Sequence, residues 1–131
     1  ALPVVDASME ELREKDFLPF KELADQPFAM TAHITYTAID PERCATQSKK
    51  VIDLIRNEIG FKGIIFSDDI TMEALEGSMV ERTKRSLEAG CDAVLHCNGN
   101  MKEMQKIAES LGYWDDEARD RFRDCWKHLR Y

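Results

Sequence analysis

Apolar positions along this chain follow two rhythms. Unbroken apolar stretches occur three times, as Phe28-Ala29-Met30-Thr31-Ala32-His33-Ile34, Gly63-Ile64-Ile65-Phe66-Ser67 and Asp92-Ala93-Val94-Leu95-His96-Cys97. Stretches of this length, bounded by breakers such as Pro27, Gly60 and Gly90, read as buried strands. Between and around them the apolar residues recur at helical spacing. Ser8-Met9-Glu10-Glu11 has the capping-box spacing and opens a helix with Met9, Leu12, Phe20 and Leu23 roughly on one side. Pro19 kinks or restarts that helix and Pro27 closes the segment. Val51, Ile52, Ile55 and Ile59 mark a second helix, with Thr46 as a candidate cap and Gly60 where a terminal glycine belongs. Ser78-Met79-Val80-Glu81 opens a third, which runs to Ala89 and stops at Gly90. Two more follow, near Met101 to Leu111 and Asp115 to Leu129, the last with Ala118, Phe122, Cys125, Trp126 and Leu129 on one apolar face.

The expected order is therefore α-β-α-β-α-β-α-α. Continuous apolar strands separated by helices imply a parallel sheet with helical cover and right-handed crossovers. Three parallel strands leave two open edges, which proteins normally cover or charge. A companion chain, a second copy or the rest of a larger barrel is expected to cover them.

Composition narrows the function classes. The 131 residues suit one domain, and 44% hydrophobic with 33% charged residues excludes a disordered chain. The net charge of −7 disfavours nucleic acid and anionic lipid as partners. No apolar run approaches the roughly 18 residues that span a bilayer. The opening Ala1-Leu2-Pro3-Val4-Val5-Asp6 lacks a basic segment followed by a long apolar one. A first residue other than Met points to a piece of something longer. Cys44, Cys91, Cys97 and Cys125 form no Cys-x-x-Cys pair, so no metal site is expected. Cys91 and Cys97 stand in apolar stretches and Cys125 on the apolar helix face. Free, reduced, buried thiols and a cytoplasmic location follow.

The chemistry concentrates where the second strand ends, at Ser67-Asp68-Asp69-Ile70-Thr71-Met72. Active sites of parallel α/β folds collect at the carboxyl ends of strands. Adjacent carboxylates there point in different directions and do different jobs. Position alone leaves two readings open: a functional acid, or an aspartate capping the next helix beside a solvated neighbour.

Leu54-Ile55-Arg56-Asn57-Glu58, four residues, Gly63-Ile64-Ile65-Phe66-Ser67-Asp68 and then Thr71 together resemble the active-site signature of family 3 glycoside hydrolases. Ser67-Asp68-Asp69-Ile70-Thr71-Met72-Glu73-Ala74, Met30-Thr31-Ala32-His33-Ile34-Thr35-Tyr36, Leu87-Glu88-Ala89-Gly90-Cys91-Asp92 and Leu2-Pro3-Val4-Val5 resemble the bacterial β-hexosaminidase subgroup, which recycles cell-wall amino sugars. The resemblance implies a fold and a reaction. The fold is the C-terminal half of a TIM (β/α)8 barrel, residues 1–131 forming one partial unit with Asp68 at the end of strand seven. A whole barrel typically needs about 250 residues. The reaction is retaining hydrolysis of terminal β-linked N-acetylglucosamine from peptidoglycan fragments, with Asp68 as nucleophile and no cofactor. The subgroup's acid/base is a histidine paired with an aspartate on a loop preceding the Leu-Pro-Val-like segment, and a sugar-holding Lys-His pair also lies upstream. This chain alone is therefore expected to be inactive.

The other chemistry-bearing residues have ordinary roles beside functional ones. His33, at a strand end, either lines the sugar pocket or is a satisfied core histidine. Met72 either touches sugar carbons or fills core. Asp69 is expected to orient the loop or bind a backbone amide. His96 resembles His33 in position, and His128 belongs to the surface or packing of the last helix. Trp114 and Trp126 read as packing residues, and Asp115-Asp116-Glu117 favours a helix start. Two rival functions remain: a receiver-like module binding Mg²⁺ and accepting phosphate on Asp68, and a non-catalytic half-barrel. The first lacks the acidic residue and the lysine expected at the other strand ends, where His33-Ile34-Thr35 and His96-Cys97-Asn98 stand.

Overall fold

The computed structural model describes residues 2–129. Its centre is a parallel sheet of β2 (Phe28–Met30), β4 (Ile64–Asp69) and β5 (Ala93–Leu95), with β4 in the middle. These are the three expected strands, two of them shorter than the apolar runs that announce them. Helix α3 (Lys49–Leu54), continued by a wider π-helical turn over Ile55–Ile59, connects β2 to β4. Helix α4 (Met79–Ala89) connects β4 to β5, and α5 (Met101–Ser110) and α6 (Asp116–His128) follow. The Ser78–Glu81 capping box forms, and Gly60 and Gly90 end their helices at φ values of 83° and 113°, which only glycine adopts without strain.

One face of the sheet packs on α3 and α4. Ile65 meets Ile52, Phe61, Ala89 and Cys91 there, with Ala29 and Ile55 at the border. On the opposite face Ile64 is fully buried, but Phe28 is 39% and Met30 62% exposed, and Phe28 rests on the Phe66 ring. The expectation of a fully buried first strand is thus corrected. β2 is an edge strand, and only Ala29 turns toward the helices.

Other local expectations also change. Val4–Val5 (β1) and Thr35–Tyr36 (β3) pair in parallel as a small second sheet that no periodicity announces. The first helix is divided: α1 (Met9–Glu11) runs into a π-helical turn (Leu12–Asp16), breaks at Phe17 and restarts as α2 (Leu18–Glu22) with Pro19 in its first turn. Ser48, not Thr46, caps α3, its hydroxyl accepting from the Val51 N–H at 3.3 Å. Cys97 is exposed rather than buried, because β5 ends two residues earlier; Cys44, Cys91 and Cys125 are buried and all four are free. On α6, Ala118 and Cys125 are buried, whereas Phe122 and Trp126 stay partly exposed while stacking on each other, and Phe122 also meets Trp114. The side chain of His128 lies outside the described residues.

At the amino ends of the strands, the buried Asp92 carboxylate ties the layers together. Oδ1 accepts from Arg121 Nε and Nη2 on α6 at 3.0 and 2.6 Å. Oδ2 accepts from Arg56 Nη2 at 2.6 Å and from the Ile65 N–H at 2.8 Å. Arg56 also donates to the carbonyls of Phe61 and Gly63. Charge-assisted bonds of this kind are the strong ones.

Candidate active site

The opposite, carboxyl end of the sheet carries the candidate chemistry. Between Phe66 and Asp69 the pairing of β4 with β5 slips: three steps along β4 match two along β5, from Ala93 to Leu95. Such a bulge re-aims side chains and is common beside active sites. Ser67, fully buried, repairs the ladder, its hydroxyl accepting the Leu95 N–H at 3.1 Å while the Ile70 N–H returns to the Leu95 carbonyl at 2.9 Å.

Asp68 emerges there, partly buried. Its Oδ1 accepts the Asp69 N–H at 2.8 Å, and Oδ2 takes no hydrogen bond from a described residue. The Asp69 carboxylate, by contrast, is spent on the backbone. Oδ1 accepts from the N–H groups of Thr71 (2.9 Å) and Cys97 (3.1 Å), and Oδ2 from the Thr71 hydroxyl (2.7 Å). Burial pushes its pKa up, but the Thr71 and Cys97 bonds outweigh that and hold the carboxyl below the ordinary range. Asp69 is thus the loop-orienting residue. With both its oxygens occupied, the adjacent pair is a poor Mg²⁺ cradle.

His33 is buried and its ring is fully engaged: Nδ1 meets the Thr46 hydroxyl and Nε2 the Asp69 carbonyl, each at 2.9 Å. The Thr46 hydroxyl also meets that of Thr31 at 2.9 Å, and Thr31 Oγ1 accepts the Asp68 N–H at 3.3 Å. The structure therefore places His33 behind the Asp68-Asp69 backbone, as a satisfied buried histidine. Met72 lies 45% exposed on the loop after β4. That loop is anchored by Ile70 and Leu75, which sink into a second core cluster with Cys44 and Ile107. Arg82 of α4 secures it further, donating to the carbonyls of Gly77 (2.9 Å), Ile70 (3.0 Å) and Met72 (3.1 Å).

His96 sits past β5, its Nε2 bonded to Glu103 at 3.1 Å and its buried Nδ1 without a partner among the described residues. Bonds from Asn98 and then His96 hold the Glu103 carboxyl below its usual range. Trp114 donates its indole N–H to the Asp92 carbonyl at 2.7 Å, a packing role. The sequence reading gave no site role to Thr31, Thr46, Ser67 or Arg82. Thr31 had one available signal, as a polar residue within an apolar stretch.

The family described as "Glycosyl hydrolase family 3 N terminal domain" matches residues 1–124. A beta-hexosaminidase of Nitrosomonas eutropha is 39% identical over 124 residues, covering 92% of this chain and 34% of that protein. A beta-hexosaminidase of Neisseria gonorrhoeae is 41% identical over 101 residues, covering 74% and 28%. Among solved structures, NagZ from Neisseria gonorrhoeae in complex with N-trifluoroacetyl-D-glucosamine superposes with a TM-score of 0.83 at 33% identity, over 94% of this chain and 37% of that one. A family 3 beta-N-acetylglucosaminidase from Paenibacillus gives 0.80 at 29% identity, over 98% and 26%. The chain thus spans about a third of the length of the relatives it matches.

Proposed function

The chain belongs to glycosyl hydrolase family 3, and from that premise we propose that it is the nucleophile-bearing part of a retaining β-N-acetylglucosaminidase. The observation that carries the reading is Asp68: a carboxylate at the carboxyl end of the central parallel strand, with one oxygen tied down and the other unengaged by any described residue.

In the full-length parent, Asp68 Oδ2 attacks the anomeric carbon of a terminal β-linked N-acetylglucosamine. The new carbon–oxygen bond forms as the bond to the leaving group breaks, and a general acid protonates the departing oxygen. Water, deprotonated by the same group, then attacks the anomeric carbon and releases the sugar and the free Asp68 carboxylate. On this reading the acid/base is a histidine with an aspartate partner, upstream of Leu2-Pro3-Val4 in the full-length parent. The 131-residue chain alone is inactive on this reading, since general acid–base help is worth roughly 10²–10⁴-fold. The remaining strands of the (β/α)8 barrel cover the open edges of β2 and β5 and the exposed Phe28 and Met30. Met72 contributes an apolar contact beside the sugar. Peptidoglycan fragments in the cytoplasm are the substrates this reading favours. It calls for no metal or organic cofactor.

The test uses the full-length parent and an aryl N-acetyl-β-glucosaminide. Asp68→Ala is expected to lower kcat by at least 10³-fold, about 4 kcal/mol of transition-state stabilisation. A slow fluorinated glycosyl donor is expected to leave its sugar mass on the peptide containing Asp68. Undiminished turnover by Asp68→Ala, or a label mapped elsewhere, refutes the assignment; sugar binding without turnover by the unmodified parent points to a non-catalytic barrel.

A further inference from the structure

We infer that Thr46 and His33 are positioning residues for the nucleophile, acting through a directed hydrogen-bond relay that grips the backbone on both sides of Asp68. The inference rests on Asp68 being the nucleophile.

The direction of the relay follows from its two ends. At one end the Asp68 main-chain N–H can only donate, so Thr31 Oγ1 accepts. At the other the Asp69 carbonyl can only accept, so His33 Nε2 carries a hydrogen. In the neutral ring Nδ1 then accepts, which makes the Thr46 hydroxyl its donor. Thr46 in turn accepts from the Thr31 hydroxyl. One consistent path results: Asp68 N–H to Thr31, Thr31 to Thr46, Thr46 to His33, His33 to the Asp69 carbonyl. Each hydroxyl donates once and accepts once, and neither nitrogen of the ring is left over.

Three polar side chains are buried to build this path: Thr31, His33 and Thr46, at 7%, 4% and 0% exposure. Burying such groups is costly unless every one is satisfied, and satisfied networks fix a single geometry. Apolar side chains of similar size would fill the same space without that cost. What the polar ones add is their destination, since both ends land on consecutive residues, 68 and 69, and on main-chain groups that cannot rotate independently of the nucleophile. Between those two grips lies the peptide whose N–H, that of Asp69, holds Asp68 Oδ1 at 2.8 Å. The relay thus sets the plane of the carboxylate and the aim of Oδ2. Thr46, in the short turn Ala45–Gln47, belongs to a different segment from β4, so it braces the nucleophile from outside its own strand.

The full-length parent carrying Thr46→Val, Thr46→Ser or Asp68→Ala tests this, with kcat and KM measured on an aryl N-acetyl-β-glucosaminide and folding followed by thermal melting. Displacing a reacting group by about 1 Å costs about 10²-fold. Thr46→Val is therefore expected to lower kcat 10- to 100-fold with KM changed less than threefold, and Thr46→Ser, which restores the hydroxyl, to recover at least half of kcat. Wild-type kcat in Thr46→Val overturns the inference, as does an equal loss in Val and Ser, which marks a packing role. If Thr46→Val fails to fold, Thr31→Val and Thr31→Ser give the same contrast at the neighbouring hydroxyl. Full activity of Asp68→Ala removes the underlying assignment of the nucleophile instead, whatever the threonine variants do.

Discussion

Replacing Asp92 by Ala is the perturbation whose outcome the structure specifies most closely. The Asp92 side chain is 1% exposed, and its partners Arg56 and Arg121 are 19% and 24% exposed. Four bonds are lost together, three from guanidinium groups and one from the Ile65 N–H, itself buried. Removing one partner of a buried ion pair costs about 3–5 kcal/mol, because the remaining charge is stranded. An orphaned buried N–H adds about 1–3 kcal/mol. Water reaching the partly exposed guanidinium groups offsets some of this, so a net loss of about 3–5 kcal/mol is expected. Against a total stability of about 5–15 kcal/mol, that is a large fraction. Urea unfolding followed by far-ultraviolet circular dichroism reads the effect as a fall in midpoint at constant slope. Asp92→Asn should be nearly as damaging, since its amide NH2 faces the donors of one arginine. A loss under about 1 kcal/mol in Asp92→Ala would refute the view that this carboxylate joins α6 and the π-helical turn to the sheet.

Three further perturbations have outcomes set by the structure. Gly90→Ala introduces a Cβ that meets Ile52 Cγ2 at 2.8 Å at a φ of 113°, and a loss of about 1–3 kcal/mol in the urea midpoint is expected. The Asp69 carboxyl is lowered in the fold, so its contribution is full above the unfolded value near 4 and disappears as pH falls through the lower folded value. Unfolding midpoints compared at pH 6 and pH 3 should accordingly fall less in Asp69→Asn than in the wild type; equal falls would contradict this. Burial pushes the Cys91 thiol up to about 12, and Cys97, although exposed, is raised by desolvation and by the charges of Asp69 and Asp68. Iodoacetamide at neutral pH should label Cys97 first and slowly, reaching Cys91 only on unfolding, as peptide mass mapping would show.

Sequence reading succeeded where the deciding interactions are local. The Ser78–Glu81 cap and the glycines at 60 and 90 each depend on neighbours within a few positions, and the apolar run from Ile64 marks its own strand. Thr46 and Ser48 both suit a helix cap, and local pattern cannot rank them. The choice is made by Thr31 and His33, some fifteen residues away, which claim the Thr46 hydroxyl. The β1–β3 pairing has no period to read because each strand is two residues long. The Ser67-Asp68 motif marked the strand end that the structure shows, and the loop-holding role of Asp69 was anticipated from its position there. The place of His33 was not: a histidine at a strand end looks the same in sequence whether it faces a ligand or the back of a loop. The Asp92 junction joins residues 27 to 36 positions apart and leaves no short-range trace.

The slip of β4 past β5 has a consequence for how this segment tolerates change. In a regular ladder, alternation alone decides which way each side chain leans, so moving a residue by one reverses it. Here an additional residue, lodged between Phe66 and Asp69, uncouples the direction of the acidic group from that alternation. Deleting Ser67 would remove the additional residue, let the two strands zip evenly and put Asp68 two positions after Ile65, whose side chain faces the helices. Length in this stretch is therefore as constrained as chemistry, and substitutions should be tolerated there more readily than deletions.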